Sequence, residues 1–335
     1  MELANILTRR RVEGEKEMRN GLWILRILGR PALAVLFLVS LLLGRGAVGA
    51  EKVTIALDWI PYGKHAPFFV ALEKGYFKDA GLDATIIRGN GSGDTIKIVN
   101  AEKVEYGLAD MGAMVIARGK GGHVKMISMV EHKNLHVIYA LKESGIRTPK
   151  DLEGKTIGTV PGEGAHALFP SLALANGVDA KTVKFTTTAF AVKVPSLMNR
   201  KVDAVTSYLT DLPNYTKAAK ELRKEIVPIV YSNFGIDIYS NGLLTTDRRL
   251  QGRPNEVKGV AQSFVRAMAW SVENPGEAVQ IFVKHRGTVD PGLARQHWDI
   301  MVEHLLTPTT RKTGIGFMTQ EKVQRTIDYV AKAWT

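Results

Sequence analysis

After residue 50, short runs of apolar and β-branched residues alternate with stretches whose apolar positions recur at helical spacing. This pattern predicts strands at 53–57, 84–88 and 106–110, with helices near 66–74 and from residue 94 onward between them. Alternation of this kind is typical of βαβ units. We therefore expect an α/β fold in which mainly parallel sheets carry helices on both faces.

The same order of elements returns after the polar segment 143–155. Strands are predicted at 156–160, 183–188 and 203–208, with helices near 166–176 and 193–199. Two similar sets of elements indicate two lobes.

The remainder of the chain is predicted to be mainly helical. One further strand, 242–246, precedes four helices that we expect to begin near Pro254, Pro275, Pro291 and Thr319. Proline is favoured in the first turn of a helix, where its missing N–H would have no partner, so these prolines mark helix starts.

The first 50 residues have the organisation of a secretory signal. A basic stretch, Arg9 to Arg30, leads into the apolar run Pro31–Gly44, and small residues follow up to Ala50. We predict export to the periplasm and cleavage after Ala50. Retention as an anchor stays open, because apolar residues before Pro31 could extend a run shorter than the roughly 20 residues of a spanning helix. The long polar region before Met18 favours Met18 as the true start.

Composition narrows the function classes. With 45% hydrophobic residues the chain is not a disordered polymer, and without Cys it has neither disulfides nor thiolate metal sites. The formal charge is +12, and removing the 8 basic and 4 acidic residues of positions 1–50 leaves 37 basic and 29 acidic residues, or +8. No Lys/Arg cluster is interleaved with aromatic residues, which argues against nucleic-acid binding.

Four side chains that suit ligand binding follow the first predicted strand: Asp58, Trp59, Tyr62 and His65. Open α/β sheets bind ligands at the carboxyl ends of their strands. A flat aromatic side chain there could stack on a planar ligand while Asp58 or His65 orients it by hydrogen bonds. The alternative for Trp59 is that it fills the core of its own lobe.

The glycine run 89–94 follows a strand and opens a helix, where exposed N–H groups could meet an anionic or polar ligand. Its spacing differs from the dinucleotide-binding pattern. Ser92 or Asp94 could equally serve as a helix cap, and the two roles are compatible.

His132 and His136 form the sequence's one conspicuous metal-like pair, but the segments around them are predicted strands, on which two histidines four apart do not converge. We therefore predict no metal site. No G-x-S-x-G elbow occurs, and no residue set requires catalysis or a cofactor.

Leu57–Ile86 resembles the solute-binding proteins of ABC importers that handle thiamine pyrimidine precursors, riboflavin, alkanesulfonates, taurine and nitrate. The resemblance rests on VALEKGYFKDAGLD and extends to Gly91–Asp110, Asp151–Gly158 and Lys201–Tyr208. Within the group the pyrimidine-precursor branch, with a pattern near L-D-W-x-P-N-x-N-H-x-G, is the most similar. The matching residues are Asp58, Trp59, Pro61 and His65, and the departures are Tyr62, Lys64 and Pro67. Lys64 could favour an acidic ligand or simply be solvated.

The resemblance implies a two-lobed periplasmic-binding-protein fold of type II, with the lobes joined by a two-strand hinge. Lobe 1 would comprise residues 51–140 and 243–335, and lobe 2 residues 141–242, with the ligand between them. The candidate ligand contacts are Asp58, Trp59, Tyr62, His65, Ser92, Asp110, Gly162, Glu163, Tyr208, Asp211, Asp237 and Tyr239.

The first functional hypothesis is a monomeric periplasmic protein that captures a small planar heterocycle, similar to a thiamine pyrimidine precursor, and delivers it unchanged to a membrane permease and ATPase. A binder of an alkanesulfonate, taurine or another small anion is the alternative. A pyrimidine-precursor synthase, which uses pyridoxal phosphate and its own histidine, is a second class, and a signal-receptor ectodomain a third.

Overall fold

Two five-stranded sheets organise the chain in the computed structural model, which describes residues 49–334. The predicted signal, residues 1–50, lies outside the described residues except for Gly49 and Ala50. Among residues 49–334, no helix combines the length and apolar character needed to cross a membrane.

Ten strands build the two sheets. They are β1 (Glu51–Ala56), β2 (Leu82–Ile87), β3 (Tyr106–Asp110), β4 (Val124–Met129), β5 (His136–Leu141), β6 (Thr156–Thr159), β7 (Lys184–Thr187), β8 (Ala204–Tyr208), β9 (Ile226–Val230) and β10 (Asn241–Thr246).

The sheets have matching topologies. The first has the order β2-β1-β3-β10-β4, and the second has the order β7-β6-β8-β5-β9. In the first sheet β10 runs antiparallel to β3 and β4, and in the second β5 runs antiparallel to β8 and β9. Each sheet is therefore mainly parallel and contains one antiparallel strand, β10 in the first sheet and β5 in the second.

Fourteen α-helices lie in the described residues. They are α1 (Ala66–Glu73), α2 (Tyr76–Asp79), α3 (Ser92–Asn100), α4 (Met111–Gly119), α5 (Gly164–Ala167), α6 (Phe169–Ala175), α7 (Phe190–Met198), α8 (Leu212–Glu221), α9 (Asp247–Gly252), α10 (Pro254–Glu273), α11 (Pro275–Arg286), α12 (Pro291–Leu305), α13 (Pro308–Thr313) and α14 (Gln320–Trp334).

The predicted α/β class and the predicted helix starts at Pro254, Pro275 and Pro291 are confirmed. One helix expected near 166–176 is instead divided into α5 and α6 at Leu168. Pro170, in the first turn of α6, cannot donate the hydrogen bond that a continuous helix would need.

Strand membership corrects the expected lobe boundaries. His136 to Ala140 pair with β8 in the second sheet, and Asn241 and Gly242 pair with β3 in the first. The chain therefore changes sheets between Met129 and His136 and again between Val230 and Asn241. We call the first sheet with its packed helices the first lobe, and the second sheet with its helices the second lobe.

The chain crosses between the sheets at residues 130–135 and 231–240, which we call the first and second crossing segments. Glu131 links these two segments by hydrogen bonds. Its backbone N–H donates to the Asn241 carbonyl (3.0 Å), and its own carbonyl accepts from the Ser240 N–H (3.1 Å). The side-chain Oε2 also accepts from the Asn241 N–H at 3.1 Å. The two connections between the lobes are therefore hydrogen-bonded to each other.

Candidate functional site

A small cavity lies between the lobes, where the carboxyl ends of the parallel strands of both sheets meet the first residues of β5 and β10. Its volume is about 40 Å³. The first lobe contributes Asp58, Trp59, Lys64, Gly91 and Ser92, and the second contributes His136, Glu163, Gly164, Ala165, Ser207, Tyr208 and Asp211. The location is the one at which α/β sheets bind ligands.

Asp58 anchors the first-lobe wall through three buried partners. Its Oδ2 accepts from Lys64 Nζ (2.6 Å) and Asn241 Nδ2 (2.9 Å), and its Oδ1 lies 2.7 Å from His65 Nε2. Burial alone would raise the pKa of Asp58, but Lys64 and the His65 hydrogen bond outweigh it and hold that pKa well below its usual value. Asp58 is thus an ionised structural group.

His65 stands behind this wall and does not line the cavity. Its Nδ1 accepts from the Tyr62 N–H at 2.9 Å, its Nε2 bonds Asp58, and the side chain is fully buried. Burial lowers the pKa of His65. The Tyr62 ring packs on His297 of α12, with ring centroids 4.8 Å apart. Both residues therefore shape the loop that presents Asp58 and Trp59.

Trp59 faces the second lobe. Its ring meets Phe190 of α7 edge-on, with centroids 5.3 Å apart and planes at 75°, and Lys193 Nζ lies 5.6 Å from its centroid. The buried Nε1 has no hydrogen-bond partner among the described residues. Trp59 therefore does not fill the core of its own lobe, which was the alternative to ligand contact.

Glu163 lines the cavity with a carboxylate whose hydrogen-bonding capacity is already used. Lys193 Nζ bonds Oε1, and Oε2 accepts from the Val160 N–H (2.9 Å) and from the hydroxyls of Thr159 (3.1 Å) and Thr206. The pair holds Lys193 beside Trp59 and leaves Glu163 little capacity for a further donor.

Asp211 is the carboxylate with spare capacity. Its Oδ2 accepts from Ser207 Oγ at 2.8 Å, and within residues 49–334 no hydrogen bond reaches Oδ1. Burial raises the pKa of Asp211 to about 6, although Lys64 and Lys193 oppose the shift. A donor on a bound molecule would therefore find an acceptor here.

Tyr208 makes contacts with both lobes. Lys64 Nζ of the first lobe lies 4.1 Å from its ring centroid, and its hydroxyl is 2.8 Å from Ser240 Oγ on the second crossing segment. Lys64 is 7% exposed, so it is not solvated. It forms an ion pair with Asp58 and a cation–π contact that crosses the cavity.

Asp110 is the N-cap residue of α4 and hydrogen-bonds to residues at the cavity wall and in the second crossing segment. Its Oδ1 accepts from the Ala113 N–H (2.9 Å), its Oδ2 accepts from Ser240 Oγ (3.2 Å), and its N–H donates to Ser92 Oγ (3.1 Å). Ser92 thus takes part in positioning Asp110 while it also lines the cavity.

Glycine allows the lobes to touch at the edge of the cavity. The Gly93 N–H donates to the Gly162 carbonyl at 3.0 Å. A Cβ at Gly91 would lie 2.6 Å from the Gly162 oxygen, and a Cβ at Gly93 would lie 3.3 Å from it. A side chain at Gly91 would clash with the Gly162 carbonyl, and one at Gly93 would force a tight contact with it.

A model of the NMT1/THI5-like family matches residues 63–278. The chain belongs to this family. A formylaminopyrimidine-binding protein of Halalkalibacterium halodurans is 26% identical over 258 residues, which cover 76% of this chain and 77% of the relative. A 4-amino-5-hydroxymethyl-2-methylpyrimidine phosphate synthase of Saccharomyces cerevisiae is 36% identical over 115 residues, 34% of each chain.

The solved structure of a Candida albicans protein with the generic periplasmic-binding-protein fold is also similar. It has a TM-score of 0.66 and 19% identity, and the match covers 85% of this chain and 90% of that one. The two-lobed periplasmic-binding-protein fold and the family resemblance expected from the sequence are confirmed.

Six of the predicted contacts line the cavity: Asp58, Trp59, Ser92, Glu163, Tyr208 and Asp211. Tyr62, His65, Asp110 and Gly162 support its walls or its edge. Lys64, His136 and Ser207 line it without having been predicted as contacts. The departure of Lys64 from the pyrimidine-precursor pattern pointed to a role for Lys64 in the site. The position of His136 directly after a change of sheet pointed to a role for His136.

Asp237 and Tyr239 need correction, because neither faces the cavity. The exposed Asp237 carboxylate accepts from Lys322 Nζ and from Arg325 Nη1, both at 2.7 Å, on α14. Tyr239 is buried on the same side, where its hydroxyl accepts from the Thr319 N–H at 2.9 Å. The second crossing segment turns these two side chains outward, toward the C-terminal helix.

The two histidines of the sequence's metal-like pair have separate surroundings. His132 lies in the first crossing segment with its ring edge-on to Tyr239, and His136 begins β5 beside Tyr208. In the described part of the chain, no group of three or more His, Asp or Glu side chains is placed to hold a metal ion.

Proposed function

We propose that this protein is the substrate-binding component of an ABC importer and that it captures a small planar heterocycle of the aminopyrimidine type between its lobes. The observation that carries the proposal is Trp59 on one wall of the cavity opposite Tyr208 and Asp211 on the other. Flat aromatic rings stack on a planar ligand, and the free Asp211 oxygen accepts from its N–H groups.

Capture requires the lobes to move apart. A cavity of about 40 Å³ has room for water but not for a substituted six-membered ring. The contacts that would break on opening are Trp59 with Phe190, Lys64 with Tyr208, and Gly93 with Gly162. Hinge closure around a ligand would rebuild the same walls on either side of the ring.

The charges favour a donor-rich ligand over a small anion. Lys64, which lines the cavity, is paired with Asp58, and Lys193, which lies beside Trp59, is paired with Glu163, so each of these two charges is already neutralised. Asp211 adds a carboxylate that a sulfonate would have to approach. An alkanesulfonate or taurine remains the alternative that the binding experiment below decides.

The buried state of His65 supports binding over synthesis. A histidine that supplies atoms to a product must reach the reacting cofactor, whereas His65 is fully buried and both of its nitrogens are engaged. The protein binds and releases its ligand without turnover. It acts as a monomer in the periplasm, after export by the predicted signal, and passes the ligand to a membrane permease and ATPase.

Titration calorimetry on the purified protein tests the function. Formylaminopyrimidine and 4-amino-5-hydroxymethyl-2-methylpyrimidine are expected to bind with micromolar or tighter affinity and to reduce the radius of gyration in small-angle X-ray scattering. Taurine and short alkanesulfonates should leave both signals unchanged. Binding of the sulfonates alone would refute the pyrimidine assignment. Formation of a pyrimidine when the protein is incubated with pyridoxal phosphate and iron, with consumption of a histidine of the chain, would refute the absence of turnover.

A further inference from the structure

His136 is a buried titratable residue of the cavity that the proposed function does not yet use. It is the first residue of β5, it is 3% exposed, and it lines the cavity between the lobes. It pairs with Tyr208 in the antiparallel register of β5 and β8. The ring therefore belongs to the second-lobe wall.

Neighbouring groups fix the orientation of this ring. Tyr208 meets it edge-on with centroids 5.2 Å apart, and Tyr231 does so at 6.1 Å. A Cβ at Gly164 would lie 2.6 Å from both Nε2 and Cε1 of His136. These neighbours restrict the orientation of the imidazole in the wall.

Asp110 of the first lobe lies against one nitrogen of the His136 ring. Its Oδ2 lies 3.1 Å from His136 Nε2. The two atoms lack the alignment of a hydrogen bond, so Nε2 is a buried nitrogen without a hydrogen-bond partner among the described residues. A lone pair on Nε2 would face the carboxylate, whereas a proton there is attracted to it. A single ring proton held on Nε2 by this carboxylate would leave the lone pair on Nδ1.

We propose that His136 is a specificity-determining contact whose Nδ1 accepts a hydrogen bond from an N–H group of the ligand, with Asp110 holding the tautomer. The inference rests on the proposed function and deepens it. Together with the free oxygen of Asp211, it gives the second-lobe wall two acceptors. The ligand class is therefore a planar ring with an amino substituent, and an analogue in which hydrogen replaces the amino group binds more weakly.

The experiment compares two ligands on matched variants. 4-Amino-5-hydroxymethyl-2-methylpyrimidine and its 4-deamino analogue are titrated into the wild type, His136→Leu, His136→Asn and His132→Leu. We expect the wild type to prefer the amino compound about five- to tenfold, the range of one hydrogen bond. His136→Leu should lower this ratio and leave only the preference that Asp211 supplies. His136→Asn, whose amide oxygen can occupy the Nδ1 position, should restore part of it, and His132→Leu, a buried histidine outside the cavity, should leave it unchanged.

An unchanged ratio in His136→Leu overturns the inference while the pyrimidine function stands. A wild type that binds neither pyrimidine overturns the proposed function itself, so the two failures are distinguishable. Imidazole ¹⁵N NMR of the wild type covers the case in which a variant does not fold. The His136 Nδ1 resonance should have the shift of an unprotonated nitrogen and should move on ligand addition, and a protonated or unresponsive Nδ1 counts against the inference.

Discussion

Trp59 of the first lobe lies edge-on against Phe190 of the second, with ring centroids 5.3 Å apart. The contact joins the two lobes beside the cavity that Trp59 lines. The Trp59 surface that meets Phe190 in this closed arrangement therefore becomes exposed when the lobes part.

Trp59→Ala should weaken ligand binding at least about tenfold. The substitution removes a stacking surface worth on the order of 1 kcal/mol beyond its buried area. Titration calorimetry measures the change, and Trp270→Ala serves as the control, because Trp270 lies on α10 of the first lobe beneath Lys74 and does not line the cavity. Equal affinities for the wild type and Trp59→Ala would remove Trp59 from the site.

Gly93→Ala should hinder closure without unfolding either lobe. The new Cβ would sit 3.3 Å from the Gly162 carbonyl, so the hydrogen bond across the edge would lengthen at a cost of about 1 kcal/mol, or several-fold in affinity. Gly119→Ala is the matched control, because its Cβ meets no atom within 4 Å. Scattering with saturating ligand should show a larger radius of gyration for Gly93→Ala, and identical profiles would contradict the role of this contact.

Asp211→Asn should stabilise the protein above pH 6 while weakening ligand binding. The folded-state pKa is raised from 3.8 to about 6 by burial, so the folded state holds this proton more tightly than the unfolded chain does. The free energy of unfolding therefore falls as the pH rises through this range, by at most about 3 kcal/mol.

Asp211→Asn carries no charge at this position, so its free energy of unfolding does not show this fall with rising pH. Thermal melts from pH 4 to pH 8 should show a higher melting temperature for Asp211→Asn at pH 7 and little difference at pH 4. The exposed Asp83→Asn provides the control, with a profile that follows the wild type. If the melting temperature of Asp211→Asn followed that of the wild type at every pH, ionisation of Asp211 would not destabilise the folded protein.

Asp58→Asn should destabilise the fold by about 3 kcal/mol or more, because it leaves Lys64 buried without its counter-ion. The pKa of Asp58 is held below its usual value, so its stabilising contribution is complete above about pH 4 and is lost only as acid protonates the folded protein. Urea unfolding at pH 7 measures the change. Asp79→Asn, which breaks an exposed pair with Arg266, should cost less than about 1 kcal/mol, and equal losses would contradict the buried network.

Local pattern was sufficient for most of the fold and for the first-lobe wall. Runs such as Tyr106–Asp110 are buried along their whole length, and a residue that follows a parallel strand must lie at its carboxyl edge. Trp59 and Asp211 could therefore be placed near the site from the sequence alone.

Tertiary pairing decided the rest. Asp237 is turned outward by Lys322 and Arg325, which lie 85 and 88 residues further along the chain. Glu163 is saturated by Lys193, 30 residues away, and Lys64 is fixed partly by the Tyr208 ring of the other lobe. The spacing of residues along the chain does not show which distant residues pair in the fold. Sequence reasoning could therefore name the polar groups of the site but not which of them are free to contact a ligand.

The reversed strand β10 also bears on the order of folding. β4 pairs only with β10 among the described strands, and β3 meets β4 only through it. As the chain emerges from its amino end, the first sheet therefore stays incomplete until residues 241–246 have been made, whereas all five strands of the second sheet are present by residue 230. The half of the protein that is synthesised first is therefore the last to complete its sheet.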